Sequence, residues 1–211
     1  MGERKEEDPF DNETLDARLK LGETSTHNIL LNKFNVSKTH LLLTTKSFKR
    51  QGEELDKDDF RSVAFLLKRM KGFAFYNSGS DSGFSVPHKH LQFLALTENY
   101  FKETLIDFLL KSNQNRPFPS STPFQFPQIP FEHYCVLMEL KGESESEVAQ
   151  ILKKSYDELQ SKFDWSHHTS YNLLLTEGNS SYTFLIIINL LIGRFQRMDV
   201  HCTKDARGFR H

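Results

Sequence analysis

FYNSGSDSGFSVPHKHLQF, residues Phe75 to Phe93, decides how the rest of the chain is read. It sets two histidines and a glutamine at alternate positions directly after a run rich in glycine and serine. Successive side chains of an extended strand leave on opposite faces, so His88, His90 and Gln92 share one side while Lys89, Leu91 and Phe93 share the other. One face carries groups capable of chemistry and the other carries packing. The run before it, Asn77 through Ser85, offers small side chains, hydroxyls and backbone N–H groups, the equipment with which a loop holds a polyphosphate. An imidazole beside a phosphate cradle points to nucleotidyl transfer through a phosphorylated histidine.

Plainer readings compete with that one. Two imidazoles two residues apart on a strand can share a metal ion, but with only Cys135 and Cys202 and no HExxH or CxxC pattern, no further ligands are visible, so no metal site is expected. His-x-His alone is most often a structural or surface pair, and a Gly/Ser run alone is most often a turn. The two adjoining are far more specific than either.

Further segments carry a likeness. Asn77-Ser-Gly, Ser82-Gly83-Phe84-Ser85 and His88-Lys-His90-Leu-Gln92 stand together with Thr26-His27-Asn28, Asn32-Lys33-Phe34-Asn35, His40 through Phe48, Pro127 through His133, and Tyr171-Asn172 through Thr176. In these segments, over roughly residues 7–178, the chain resembles the diadenosine tetraphosphate phosphorylases, or ATP adenylyltransferases. These belong with galactose-1-phosphate uridylyltransferase in the histidine-triad superfamily, in the branch whose motif ends in Gln.

The resemblance implies an α+β fold, a histidine-triad-like antiparallel sheet with packed helices, and a two-step reaction. His90 would attack the α-phosphate of a dinucleoside tetraphosphate and release ATP, and inorganic phosphate would then take the adenylyl group from the ring and leave as ADP. Gln92 would hold a non-bridging oxygen without adding charge, and His88 would shape the site. Ser82, Gly83, Phe84 and Ser85 would donate to phosphates, with Asn77 on the ribose or a phosphate. Ser25 and Thr26 match a position near the nucleotide, and Asn32 with Lys33 would approach from the neighbouring strand, although a strand-end Asn and a surface Lys explain those two as well. The expected ligands are the dinucleoside polyphosphate, ATP, ADP and phosphate, with no cofactor beyond a divalent cation accompanying the nucleotide. One departure lies in the loop, where Phe84-Ser85-Val86-Pro87 brings a proline, and hence a lost backbone donor, right before the motif. A binding or interaction module that keeps the cradle without turnover is the alternative. A hydrolase is disfavoured because Gln92 stands where its third histidine would be.

Composition agrees without deciding anything. The 211 residues suffice for one sizeable core, and 27 basic against 28 acidic residues give a net charge of -1, so neither nucleic acid nor a bilayer is an expected partner. Two cysteines and a charged start without an apolar signal core predict a reducing, intracellular place, the cytoplasm with the nucleus as a second.

Along the chain, residues 1–20 are expected to be a mobile charged segment, and residues 21–178 the catalytic domain. Strands are predicted near His27–Phe34, Thr39–Thr45, Phe73–Asn77, His90–Leu96, Glu132–Leu140 and Tyr171–Thr176. Asp56 to Asp59 opens a helix whose apolar face is Phe60, Val63, Ala64, Leu67 and Met70, with Gly72 ending it. Two more helices are predicted, from Thr97 or Glu98 to Leu110 and from Ser144 to Phe163. The proline-rich stretch 113–130 reads as an extended surface connection pinned by Phe118, Phe124 and Phe126.

Residues 179–211 depart from the family. Codons compatible with Met198 to Phe209, moved by one base, can spell the Trp-Met strand the family has there, and Gly178-Asn179 and Arg197 can encode splice signals around a stretch whose length is not a multiple of three. This tail is therefore expected to be the product of a retained intron and a frameshift. The chain as written is expected to turn over weakly or not at all. The apolar run Tyr182–Leu191 is too short to span a bilayer, which takes roughly 20 residues, and would pair as a surrogate strand or aggregate.

Overall fold

A computed structural model describes residues 8–34, 39–96, 105–112, 119–140, 143–166, 170–177 and 181–188. Within them the chain runs β1 (Lys20–Glu23), β2 (His27–Leu31), β3 (His40–Thr45), α1 (Lys57–Leu67), β4 (Gly72–Ser78), β5 (His90–Ala95), α2 (Leu105–Ser112), β6 (His133–Glu139), α3 (Glu145–Gln160), β7 (Tyr171–Glu177) and β8 (Ser181–Ile188). The strands form one sheet in the order β1-β2-β3-β5-β4-β7-β8-β6, every neighbouring pair antiparallel. This is the α+β architecture expected, with β1 unforeseen because four mostly exposed residues, Lys-Leu-Gly-Glu, carry no apolar alternation. The apolar run of the tail does pair: β8 lies between β7 and β6. The rest of the tail, from residue 189, lies outside the described residues.

The helices start where their caps say. The Asp56 carboxylate accepts from the Asp58 and Asp59 N–H groups while the Asp59 carboxylate accepts from the Asp56 N–H, a closed capping box, and Ser144 with Glu147 does the same for α3. Helices α1 and α3 pack on each other and on one face of the sheet. Phe60, Val63, Leu152, Tyr156 and Leu159 bury there against Leu43, Tyr76, Leu91, Phe93 and Val136. Removal of this much apolar surface from water holds the two layers together.

Gly72 does not end α1 as expected. It opens β4, and a Cβ built on it would lie 2.5 Å from the Leu94 carbonyl oxygen and 2.5 Å from the Phe93 ring. Glycine is needed for this close strand approach, so Gly72→Ala is expected to cost about 1–3 kcal/mol in urea denaturation, the range of overpacked cores.

The opposite face of the sheet carries the site. Phe10, Leu30 and Leu42 cluster over β2 and β3, and Leu109, Phe126 and Cys135 cluster at the other end. The connection before β6 is pinned as predicted: Ser120 bridges to Leu137, Phe124 bridges to Cys135, and Phe126 is buried. Phe118, and the expected helix before Leu105, lie outside the described residues. Between the two clusters Phe73, Phe75 and Asn77 are half-buried, leaving the middle of the sheet the less covered part of this face.

Candidate functional site

The predicted alternation along His88 to Phe93 holds in space. Lys89 turns to the helix face, where its ammonium, 1 % exposed, meets the Asp59 carboxylate at 2.6 Å and the Glu54 carbonyl at 2.7 Å. Leu91 and Phe93 join the helix-packed core beside it. His90 and Gln92 take the other face, opposite Thr44 and Leu42 of β3.

His90 has its tautomer fixed. Nδ1 lies 2.9 Å from the His88 carbonyl oxygen, which can only accept, so Nδ1 carries the proton and Nε2 keeps its lone pair. Burial pulls the ring below its ordinary 6.5; the hydrogen bond to His88 opposes this, while the neighbouring His88 and His40 rings add to it. A neutral imidazole with a single free basic nitrogen is a nucleophile at physiological pH.

Gln92 is oriented by a relay from β3 and the end of β2. The Asn32 side-chain amide donates to His40 Nδ1 at 3.1 Å, and His40 Nε2 donates to Gln92 Oε1 at 2.9 Å. This fixes which end of the Gln92 amide is the donor end, the end an anionic oxygen requires. Asn32 thus reaches the site through His40 rather than directly. Lys33 instead lies exposed with its ammonium 5.9 Å from the Phe34 ring. The role of His40 was missed in the sequence because a histidine opening an apolar strand gives no sign of its diagonal partner on the next strand.

His88 is held on both nitrogens, Nδ1 against Asp8 Oδ2 at 2.6 Å and Nε2 against the carbonyl and hydroxyl oxygens of Thr45 at 2.8 and 2.9 Å. With its nitrogens so engaged and Nδ1 of His90 protonated, the pair has no geometry for sharing a metal ion. Among the described residues no group of three or more His, Cys, Asp or Glu is placed to hold one, and no helix is long and apolar enough to cross a membrane.

The glycine-rich run does turn tightly. Gly79 and Gly83 both take φ near +80°, conformations that side chains disfavour, on either side of a 3-10 turn at Ser80–Ser82. The Ser82 hydroxyl, expected to donate to a phosphate, is spent inside the turn on the Gly79 carbonyl at 2.7 Å, and the residue is buried. Gly83 and Ser85 are exposed and Phe84 is half-buried, so the outer half of the loop faces solvent. Asn77 stands half-buried on the same face as Gln92.

Ser25 and Thr26 fall elsewhere. They line a cleft of about 300 Å³ with His27, Thr45, Lys46, Ser47 and Lys49, behind the strand end where Thr45 touches His88. His90, Gln92 and Asn77 do not line it. Both its lysines are paired, Lys46 with Glu23 at 3.0 Å and Lys49 with Asp56 at 2.6 Å.

From Asp8 onward the segment expected to be mobile makes defined contacts with the sheet and the imidazoles. Phe10 is 8 % exposed and stands edge-on to both imidazoles, 5.3 Å from His90 and 5.9 Å from His88 between ring centres. Asn12 donates to the Lys46 carbonyl and accepts from Asn28. Charged composition hid one anchor: a single aromatic among polar residues is a weak signal in sequence, yet it docks where Leu30, Leu42 and the imidazoles leave an apolar hollow.

Three buried rings make acid unfavourable for this fold. His90, His40 and His133 are all pushed below 6.5, chiefly by burial. His133 shows what a purely structural histidine looks like here, its Nδ1 donating to the Phe131 carbonyl and its Nε2 accepting from the Phe126 N–H. The unfolded chain takes up these protons near the ordinary value while the folded chain resists them, so stability rises with pH. Between about pH 7 and about pH 5 the urea midpoint is expected to fall, and an unchanged midpoint would contradict these shifts.

An antiparallel sheet with helices on one face, and on the other a strand-borne imidazole with a fixed tautomer next to a tight glycine loop, defines an α+β domain built around a candidate histidine nucleophile. The comparisons narrow it. The family described as Ap4A phosphorylase N-terminal domain matches residues 2–112, and the chain belongs to the Ap4A phosphorylase family. It is 30% identical over 198 residues to diadenosine 5',5'''-P1,P4-tetraphosphate phosphorylase 2 of Saccharomyces cerevisiae, covering 82% of this chain and 59% of that protein. The crystal structure of yeast Ap4A phosphorylase Apa2 in complex with Ap4A superposes with a TM-score of 0.63 at 28% identity, over 85% of this chain and 63% of that one. An ADP-glucose phosphorylase from Arabidopsis thaliana with bound ADP-glucose shares the fold, at a TM-score of 0.54 and 15% identity over 86% of this chain and 80% of that one. The chain thus spans less than two thirds of the length of the yeast relatives named here.

Proposed function

We propose that this domain transfers an adenylyl group: it splits diadenosine tetraphosphate with inorganic phosphate into ATP and ADP through an adenylyl-histidine at His90. In the first step Nε2 of His90 bonds to an α-phosphorus, the bond from that phosphorus to the bridging oxygen breaks, and ATP leaves. In the second, a phosphate oxygen bonds to the same phosphorus, the P–N bond breaks, and ADP leaves with the imidazole restored. The observation that carries this reading is the His90 ring, neutral, with Nδ1 committed to the His88 carbonyl and Nε2 basic. Gln92, oriented by His40, supplies a neutral donor for the oxygen on which charge develops. The exposed outer half of the glycine loop supplies backbone N–H groups for the phosphates. A polyphosphate leaving group is a weak base, so no strong general acid is required.

The proposal is tested by mass spectrometry after brief exposure of the protein to diadenosine tetraphosphate. One added adenylate on the peptide containing His90 supports it, and its absence with dinucleotide bound favours the alternative, a module that binds without reacting. That alternative draws on Asp8 and Phe10, which crowd the imidazoles and set a carboxylate beside a site meant for anions. Added phosphate separates the reaction types: ADP as second product marks phosphorolysis, AMP hydrolysis.

A further inference from the structure

The ladder between β4 and β5 stops short of the site. Its last pairs are Ala74 with Phe93 and Phe75 with Gln92, and the positions that would follow in register, Tyr76 with Leu91 and then Asn77 with His90, do not pair. A side chain from a third segment fills the gap. Gln51 Oε1 accepts from the His90 backbone N–H at 2.8 Å, and its amide nitrogen donates to the His90 carbonyl at 3.1 Å and to the Asn77 carbonyl at 2.9 Å. Both amide hydrogens and the carbonyl oxygen are used, at a residue 2 % exposed. The amide cannot be flipped, because the His90 N–H needs an acceptor and the two carbonyls need donors.

Gln51 is itself held from every side. Its N–H donates to the Pro87 carbonyl at 2.8 Å, its carbonyl accepts from the Tyr76 hydroxyl, and its neighbours Arg50 and Lys49 bond to the His88–Lys89 backbone. One amide therefore ties the main chain of His90 to the residue that opens the glycine loop, in the place where two strands would otherwise zip together.

We infer that Gln51 is a positioning residue for adenylyl transfer: it wedges β4 and β5 apart at the site and fixes the distance between the His90 ring and the phosphate loop. This rests on the reading of His90 given above. Without the wedge, an Asn77–His90 pair can form or water can enter, and either moves the ring relative to the phosphorus. A misplacement on the order of 1 Å costs roughly a hundredfold in rate. Gln51 is buried and its hydrogen bonds go to groups of the protein itself, so dinucleotide binding is left nearly intact.

The experiment measures the single-turnover rate of His90 adenylylation against dinucleotide concentration for the wild-type chain, Gln51→Met and Gln51→Glu, with folding checked by circular dichroism. Glu keeps the shape and the acceptor but turns a carboxylate oxygen toward two carbonyls, so it supplies a second variant should Met fail to fold. The expected result is a limiting rate lowered about a hundredfold in whichever variants fold, with half-saturation changed less than about threefold, since the lost contacts are to protein and not ligand. A folded variant that labels within about threefold of the wild-type rate overturns this inference alone. So does loss of folding in both variants, which would make Gln51 a structural residue first. A wild-type chain that binds dinucleotide yet takes up no adenylate overturns the parent reading and this one with it.

Discussion

His90→Ala is expected to abolish adenylate uptake and with it whatever phosphorolysis the chain supports, since removing a covalent nucleophile acts on the scale of about 10⁴-fold or more. Dinucleotide affinity should change far less, because the lost ring is neutral and contributes no charge to the grip on phosphate. The informative comparison is His88→Ala. Both nitrogens of His88 are engaged by Asp8 and Thr45, so it shapes the site, and its loss should slow labelling without ending it. Equal loss in the two variants would mean that the pair acts as a unit and that the assignment of attack to His90 alone is wrong. Continued labelling of His90→Ala, on any other residue, would dispose of the mechanism entirely.

The sheet and its helices were legible from the chain because local signals agreed with the packing. The acidic turn at Asp56–Asp59 became the α1 capping box, and the alternation His88-Lys89-His90-Leu91-Gln92-Phe93 matched the two faces of β5. What stayed hidden lies between segments distant in sequence. Gln51 meets His90 across 39 residues and Asp8 meets His88 across 80, and neither residue carries a local pattern that announces such a partner. The hydroxyl of Ser82 is engaged locally, because a serine in a tight turn serves the turn before it serves a ligand. Gly72 was read as a helix stop because glycine after a helix usually is one, whereas the approach of Leu94 and Phe93, set by tertiary packing, decided its position.

Asp59→Ala is expected to be the most destabilising single change in the helix-packed layer, by about 3–5 kcal/mol out of the roughly 5–15 kcal/mol that holds a domain folded. The Asp59 carboxylate is wholly buried and serves three partners: the Lys89 ammonium at 2.6 Å, His27 Nε2 at 2.9 Å and the Asp56 N–H at 2.7 Å. Removing it leaves the Lys89 charge, 1 % exposed, hydrogen-bonded to the neutral Glu54 carbonyl, with Asp56 the carboxylate still acting on it and that one already paired with Lys49. That stranded charge is the dominant cost, and the lost cap adds about 1 kcal/mol. If the cost comes from an uncompensated charge, then taking away its partner as well should recover most of it, since an apolar pair of similar volume substitutes for a buried ion pair with little penalty. Asp59→Ala combined with Lys89→Met should therefore unfold in urea within about 2 kcal/mol of the wild type, while each single change lies well below. A double variant as unstable as the sum of the singles would place the cost in lost packing and capping. The consequence for function follows from position: Lys89 sits between His88 and His90 in the chain, so whatever loosens its anchor on α1 loosens the start of the strand that presents the imidazole.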